Sequence, residues 1–247
     1  MSEAIKIIDP SYKRSKGVLT HKILPQTIYA VHEFEAEEYK AEGYDVLIIP
    51  DSEKGNIARV RNWLKKYYEK TDKRFIILDD DIKQFLYWEE NVQTRLSGNQ
   101  LTEHIEGMFD VAEQWGVCMF GVNPASDKGS YREYTPFGTT SYISGSFNGF
   151  LNSPYYFDER IPLKEDYDMT IQICNGSRSA LRFNQYSMNK DDHGNIGGCA
   201  KYRTTSREKE QFDILQKKWG SKIVRRDESS KQDYDINPII KIPIKGV

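Results

Sequence analysis

A short apolar run that ends in three carboxylates constrains the fold of this chain more than any other feature. Phe75-Ile76-Ile77-Leu78 leads directly into Asp79-Asp80-Asp81. Such a run predicts a strand buried on both faces of a parallel sheet, and these sheets gather ligands at the carboxyl ends of their strands. Three adjacent carboxylates repel one another unless they share a cation, and all-oxygen ligation favours Mg²⁺ or Mn²⁺. The segment therefore predicts a metal site, with a solvated acidic turn as the plainer alternative.

The composition is that of a chain that can form one α/β domain. Its 247 residues, of which 38% are hydrophobic, suffice for a substantial core. No stretch approaches the roughly 20 apolar residues of a membrane span, and the amino terminus lacks the apolar core of a secretory signal. The three cysteines (118, 174 and 199) lack the close spacing of a zinc site, and an odd number argues against a disulfide framework. We expect a soluble, cytoplasmic protein with no membrane partner.

Strand-like and helix-like segments alternate along the chain, which is typical of a mostly parallel sheet flanked by helices. The pattern predicts strands at residues 5–8, 27–31, 44–49, 75–78, 117–122, 142–150, 180–188 and 239–244. It predicts helices at residues 35–42, 56–68, 101–115, 165–174 and 204–219. Residues 123–140 are rich in Gly, Pro, Ser and Tyr, so we expect a long functional loop there.

The charge is unevenly distributed along the chain. The formal net charge of −2 argues against a protein that coats nucleic acid. Residues 201–226 nevertheless contain nine Lys and Arg against three acidic residues. This stretch predicts a surface that faces phosphates, although a solvated basic helix would have the same composition.

Three segments, in their order and spacing, resemble the GT-A glycosyltransferases. Pro10-Ser11-Tyr12-Lys13-Arg14 follows the first predicted strand, Gly55 to Asn62 opens a helix with an Arg-Asn pair, and the aspartate cluster comes after both. The resemblance implies one GT-A, Rossmann-like domain over residues 1–247. Its nucleotide-sugar half would cover roughly residues 1–122 and its acceptor half roughly residues 123–247.

A narrower likeness is to the DNA-modifying glycosyltransferases associated with TET and JBP oxygenases in phages and kinetoplastids. It rests on Ser-Tyr-Lys-Arg at 11–14, Leu-Asp-Asp-Asp-Ile at 78–82, the compact length, and Asn237-Pro238 near the end. The likeness implies transfer from a UDP-sugar to a 5-hydroxymethylpyrimidine in DNA, with 5-hydroxymethylcytosine favoured. A phage protein of this kind would act in the host cytoplasm.

The resemblance also assigns residues to the nucleotide-sugar donor. The cations of the first loop would neutralise the diphosphate, and a helix arginine would meet the aspartates or the donor sugar. Each has a plainer alternative: loop cations are common, a lone glycine is weak evidence, and Ser144 to Gly149 also fits an ordinary glycine-kinked strand. The donor-binding candidates are Ser11, Tyr12, Arg14, Gly55, Arg59, Arg61, Asp79, Asp80 and Gly145.

Candidates for metal binding and for catalysis come from the same resemblance. Asp79 and Asp81 would hold Mn²⁺ or Mg²⁺ together with His193, which lies in a polar, glycine-rich loop where Asp191 and Asp192 compete for that role. Asp166 would be the general base, with Glu165 as the alternative. An acidic first turn also complements the helix dipole without any catalytic role.

The mechanism that these assignments imply is an in-line transfer that inverts the anomeric centre. A hydroxymethylpyrimidine in duplex DNA must leave the base stack to reach such a site, and Tyr131, Tyr134 and Phe137 are candidates to stack on it, unless they anchor the loop to the core. The same donor site would also serve a saccharide, lipid or protein acceptor. A nonenzymatic nucleotide- or DNA-binding module is the alternative of another class.

Overall fold

A ten-stranded mixed sheet organises the computed structural model of this chain, which describes residues 5–191, 202–227 and 236–243. One half of the sheet is parallel. Its strands are β3 (Asp45–Ile49), β2 (Ile28–His32), β1 (Lys6–Pro10) and β4 (Arg74–Leu78), in that spatial order. The carboxyl ends of these four strands therefore lie at one edge, where the aspartate cluster follows β4.

The other half of the sheet is mostly antiparallel. Next to β4 come β9 (Phe147–Leu151), β7 (Met119–Asn123), β10 (Leu181–Lys190), β5 (Ile82–Glu89) and β6 (Val92–Leu96), with β8 (Phe137–Gly138) paired to β10. Only the β7–β10 pairing in this half is parallel. A separate hairpin joins β11 (Val224–Arg226) and β12 (Pro238–Ile240).

Five α-helices accompany the strands in the described residues. They are α1 (Ala36–Ala41), α2 (Ile57–Tyr68), α3 (Gly98–Gln114), α4 (Glu165–Ser177) and α5 (Thr205–Trp219). The apolar residues of α3 pack with one face of the sheet, and those of α2 and α4 pack with the other. The buried strand β4 contributes to both cores, because Ile76 lies in the first and Ile77 in the second.

The local sequence explains how α2 is aligned with the site. The Asn56 side chain accepts a hydrogen bond from the Arg59 amide at 3.1 Å, which caps the amino terminus of the helix. Ala58, Leu64 and Tyr68 then face the core at helical spacing. The buried side chain of Asn62 donates to the Phe157 carbonyl at 2.9 Å and accepts from the Phe157 amide at 2.7 Å. These contacts fix α2 beside the chain that leads into α4.

The α/β fold expected from the sequence is confirmed, with differences in detail. Residues 142–150 do not form one strand, because β9 begins only at Phe147 and the preceding Ser-Gly-Ser turns around side chains from α2 and α4. The final strand, expected at residues 239–244, spans only Pro238–Ile240. The β5–β6 hairpin and β11 were not expected at all. The division into two halves near residue 122 stays a prediction.

Among the described residues, no helix is long and apolar enough to cross a membrane.

Candidate active site

Asp79 lies at the carboxyl end of β4 and contacts two positively charged side chains. Its Oδ1 accepts a hydrogen bond from Nη2 of Arg61 at 2.9 Å, and its Oδ2 lies 3.5 Å from Nζ of Lys190, the last residue of β10. Burial opposes the charge of this carboxylate, but Lys190 and Arg61 hold the pKa of Asp79 below its ordinary value. Asp79 is therefore the aspartate of the cluster that is kept ionised.

Asp80 ties the loop after β1 to the aspartate cluster. Its Oδ1 accepts from Nη1 of Arg14 at 2.7 Å, and its Oδ2 accepts from the Ser11 hydroxyl. The Ser11 hydroxyl also contacts the Tyr39 hydroxyl at 2.7 Å. Burial raises the pKa of Asp80 in spite of Arg14. The structure brings Ser11 and Arg14, which were expected to bind the donor, into contact with Asp80.

Asp81 and Asp9 are two further carboxyls whose ionisation is opposed by burial and by the neighbouring aspartates. Burial and the charge of Asp79 raise the pKa of Asp81 to about 7, although Arg14 lies 3.9 Å from its Oδ2. Asp9, near the end of β1, is completely buried, and neither carboxyl oxygen has a hydrogen-bond partner within the described residues. Burial, together with the charges of the three aspartates, raises its pKa well above the ordinary value. Additional positive charge would be favourable beside these carboxyls.

Arg61 connects the strand-end aspartates with the acidic pair of α4. Besides Asp79, its guanidinium donates to Oε1 of Glu165 at 2.6 Å and to the carbonyl of Gly145 at 2.9 Å. A Cβ at position 145 would lie 2.6 Å from Nη1 of Arg61, so only glycine leaves room for this approach. The buried arginine therefore unites three segments that are far apart in sequence.

The two carboxylates at the start of α4 have different environments. Glu165 is buried, and burial together with the charge of Asp166 raises its pKa to about 8 even beside Arg61. Asp166 is half-buried and accepts three hydrogen bonds. Its Oδ2 accepts from the Tyr142 hydroxyl and, at 3.0 Å, from the Gly145 amide, while its Oδ1 accepts from the Tyr167 amide at 2.8 Å.

An aromatic cluster lies beside the loop after β1. The ring of Tyr12 makes edge contacts with His32 and Phe34 at centroid distances of 6.3 and 6.1 Å, and Phe34 is 47% exposed. Tyr12 was expected here, whereas His32 and Phe34 were not. The sequence contains a signal for both residues. His32 ends the second strand of a parallel sheet and Phe34 follows it, so both lie at the same edge as the first loop.

Two expected donor residues contact other partners. The Arg59 guanidinium donates to the Ser52 carbonyl at 3.1 Å and lies 3.6 Å from Glu53, and a Cβ at Gly55 would lie 2.6 Å from Cδ of Arg59. Of the two arginines weighed as partner of the aspartates, the one in contact is Arg61. His193 and Asp192 lie outside the described residues. Asp191 donates its amide to the Asp81 carbonyl at 3.1 Å.

The aromatic and basic residues expected at the acceptor side are distributed over several environments. Tyr131 is buried and stacks on Trp88, and Phe137 packs against Phe183, so both anchor their loop to the core. Tyr134, by contrast, is 81% exposed. Of the basic residues of α5, Lys218 forms ion pairs with Asp158 and Asp168.

Metal-ligand geometry is incomplete in the described part of the chain. No three His, Cys, Asp or Glu side chains in residues 5–191, 202–227 and 236–243 converge as a group that could hold a metal ion. Two carboxylates at a strand end still match how Mg²⁺ is commonly held, since it takes one or two carboxylates and completes its shell with water and substrate phosphates. The carboxyls around Asp81 fit the same ion, because a cation would favour their ionised form.

The mixed α/β sheet brings the aspartate cluster and the acidic helix start to one edge, and the family match of this chain gives its class as a glycosyltransferase. Residues 5–198 match the family described as TET-Associated Glycosyltransferase. The chain belongs to this family, and it is a glycosyltransferase. None of the curated proteins matches it.

Three solved structures that resemble this chain are distant from it in sequence. TarS 1–349 of S. aureus aligns with a TM-score of 0.49 and 10% identity over 86% of this chain, which spans 64% of that one. CMP:2-keto-3-deoxy-manno-octonic acid synthetase complexed with CTP gives 0.47 and 10% over 87% of this chain and 100% of that one. UDP-glucose pyrophosphorylase complexed with UDP-glucose gives 0.44 and 6% over 87% and 100%.

Proposed function

We propose that this glycosyltransferase moves a sugar from a UDP-sugar to the hydroxyl of a 5-hydroxymethylpyrimidine in DNA, with 5-hydroxymethylcytosine as the favoured base. The observation that carries the proposal is the contact of Arg61 with both Asp79 and Glu165. It joins a strand-end aspartate, suited to a donor diphosphate, to the acidic pair of α4, suited to activating an acceptor hydroxyl. The family supports DNA as the acceptor through its association with TET oxygenases.

The donor would lie along the edge formed by the ends of β1, β2 and β4. Tyr12 and the exposed ring of Phe34 provide apolar surface for the uracil, while Ser11, Asp80 and Arg14 form the base of the same loop. Arg14 from the first loop and Lys190 from the end of β10 contact the aspartates and would face the diphosphate. Gly55, Arg59 and Gly145 remain proposed contacts of the donor sugar or its phosphates.

A divalent cation, Mn²⁺ or Mg²⁺, fits this donor set. Asp79 and Asp81 would hold it, with His193 as the proposed third protein ligand. When bound, such an ion stabilises the negative charge that develops on the leaving diphosphate. Asp80 is committed to Ser11 and Arg14, so its contribution would be to hold the first loop in place.

Asp166 is the proposed general base. The acceptor oxygen attacks the anomeric carbon of the sugar, the bond from that carbon to the diphosphate breaks, and its electron pair leaves with the diphosphate. The hydroxyl proton passes to the Asp166 carboxylate. Attack opposite to the leaving group inverts the anomeric centre. Glu165 is the less suitable base because it is buried against Arg61, whereas Asp166 is half-buried.

The DNA would approach from the side of α4 and α5. A base extruded from the duplex exposes both faces to stacking, and the exposed ring of Tyr134 is a candidate for that contact. The exposed cations of α5, Arg207, Lys209 and Lys217, are candidates for phosphate contacts. Both assignments belong to the proposal.

The test is mass spectrometry of nucleosides after incubation with Mn²⁺, a pool of UDP-sugars, and duplexes that contain cytosine, 5-hydroxymethylcytosine or 5-hydroxymethyluracil. We expect a sugar mass on a hydroxymethylated base only, and its loss in Asp166→Asn. Release of UDP without a DNA adduct would move the acceptor to a saccharide, lipid or protein. If neither product forms, the result would favour the nonenzymatic binding module, which family membership argues against.

A further inference from the structure

Tyr142 is a tyrosine at the site that the family assignments leave without a role. It lies in the turn between β8 and β9, and its hydroxyl donates to Oδ2 of Asp166. Its ring stacks on Tyr167 of α4 with centroids 4.1 Å apart and planes 12° apart. The Arg182 guanidinium of β10 donates to its carbonyl at 3.2 Å. The side chain and backbone of Tyr142 are therefore held by two different elements.

The hydrogen bonds to Asp166 distinguish its two oxygens. Within residues 5–191, 202–227 and 236–243, Oδ2 accepts from the Tyr142 hydroxyl and from the Gly145 amide, whereas Oδ1 accepts from the Tyr167 amide alone. A carboxylate offers about four lone-pair sites, two on each oxygen. Both sites of Oδ2 are filled, so the position open to an incoming hydroxyl is on Oδ1.

We propose that Tyr142 is a positioning residue that holds Oδ2 of Asp166 so that Oδ1 receives the proton of the acceptor hydroxyl. The inference rests on the proposed function, since it takes Asp166 as the base. The acceptor proton moves to Oδ1 as the new bond to the anomeric carbon forms, and the electron pair of the broken bond leaves with the diphosphate. The Tyr142 hydroxyl keeps its own proton throughout and acts only as a hydrogen-bond donor.

The surroundings are consistent with a phenol that remains protonated. Burial and the charge of Asp166 raise the pKa of Tyr142 well above its ordinary value. The other charged or titratable groups around the pair are Glu165 and Tyr167 on α4, and Arg182 on β10. Arg61 is linked to the pair through its ion pair with Glu165 and its hydrogen bond to the Gly145 carbonyl.

Tyr142→Phe removes the hydroxyl and keeps the stacked ring. We expect kcat to fall about tenfold with little change in KM, because a general base is worth roughly 10²- to 10⁴-fold and only its orientation is disturbed. In an Asp166→Asn background, the same substitution should change the residual rate little.

Tyr67→Phe is the matched control, since it removes a hydroxyl from an exposed ring on α2. It should leave kcat and KM unchanged. An equal fall in activity for Tyr142→Phe in the Asp166→Asn background, or a loss that falls on KM rather than on kcat, would overturn the positioning role.

A second measurement needs no acceptor and therefore separates this inference from the proposed function. With ¹³Cζ-labelled tyrosine, the Tyr142 resonance at neutral pH is identified by its loss in Tyr142→Phe. We expect it to shift in Asp166→Asn, because the carboxylate acceptor is replaced by an amide, while the Tyr67 resonance stays. An unchanged Tyr142 resonance would refute the contact. A shift in a protein that transfers no sugar would instead establish the contact and refute the proposed function.

Discussion

At the scale of single residues, Arg61 connects more of the site than any other side chain described above. It is buried and contacts Asp79, Glu165 and the Gly145 carbonyl. Arg61→Gln would leave the buried Glu165 without its cation and Asp79 with Lys190 alone, and loss of one partner of a buried ion pair typically costs about 3–5 kcal/mol of folding free energy. We therefore expect a large fall in the free energy of unfolding, measured with urea, and a loss of sugar transfer of at least about 100-fold.

The neighbouring arginine of α2 provides the control for that experiment. The side chain of Arg59 is 41% exposed, and within the described residues its guanidinium contacts the Ser52 carbonyl and Glu53. Arg59→Gln should change the free energy of unfolding by less than about 0.5 kcal/mol, as exposed substitutions usually do. Equal losses of stability in the two variants would contradict a bridging role for Arg61.

Glu165 should make stability depend on pH. Its pKa is raised to about 8 by burial and by Asp166, above the ordinary value of 4.5, so the folded state holds a proton that the unfolded state releases. The contribution of Glu165 to stability is therefore greatest at low pH and is lost as the pH rises towards 8. In metal-free protein, the unfolding free energy relative to Glu165→Gln should decline from pH 5 to 8, by at most about 1.4 kcal/mol per pH unit. Parallel curves for the two proteins would contradict this.

Some candidate site residues belong to short sequence motifs and could be predicted, whereas others belong to none. The aspartate cluster and the first loop each follow a strand of the parallel half, so the rule for parallel strands predicted that they meet at one edge. The acidic pair follows the antiparallel β9, and only the resemblance pointed to it. Asp9 and Tyr142 gave no such signal. Asp9 is important because it is buried near the charges of the three aspartates, and Tyr142 because it donates to Asp166. Both depend on how distant segments pack, which the sequence alone does not specify.

At the scale of elements, α5 is fastened to the start of α4 by a buried ion pair. Nζ of Lys164 contacts the Glu208 carboxylate, and both side chains are almost fully buried. Gln211 also accepts from the Leu163 amide at 2.7 Å. Glu208→Gln would leave the Lys164 charge buried without its carboxylate, so we expect a loss of about 3–5 kcal/mol in the free energy of unfolding.

The same helix supplies a matched control, because Glu210 is exposed two residues further on. Glu210→Gln should leave the urea midpoint almost unchanged. Sugar transfer should also fall in Glu208→Gln, since Lys164 directly precedes Glu165 and Asp166. A variant with lowered stability and undiminished transfer would show that this contact does not position the acidic pair.

Sequence patterns did not predict the direction of β9 or the presence of the β5–β6 hairpin. The sequence of an apolar strand does not show whether the strand runs parallel or antiparallel to its neighbours. The antiparallel placement of β9 between β4 and β7 therefore had no local signal. The hairpin, by contrast, has a local signal at its turn. Glu90 and Asn91 both have positive φ, 45° and 66°, as a two-residue hairpin turn requires, and Asn is one of the residues that tolerate this conformation.

At the scale of the whole molecule, one edge of the sheet carries both halves of the proposed reaction. The aspartates follow β4, Lys190 ends β10, and α4 begins beside them, held by Arg61 from α2. Because these elements come from most of the described chain, a ligand that binds there should stabilise the fold as a unit rather than one segment of it.

UDP with Mn²⁺ should therefore raise the melting temperature. A ligand at 100 times its Kd stabilises the folded state by about 2.7 kcal/mol. For a chain of this size, that corresponds to an increase of roughly 5–10 °C, which thermal scanning readily measures. Asp81→Asn should lose the part of the increase that depends on Mn²⁺, whereas Asp45→Asn, at the exposed start of β3, should keep all of it. An equal rise for UDP with and without Mn²⁺ would instead assign the diphosphate to Arg14 and Lys190, the cations that already contact the aspartates.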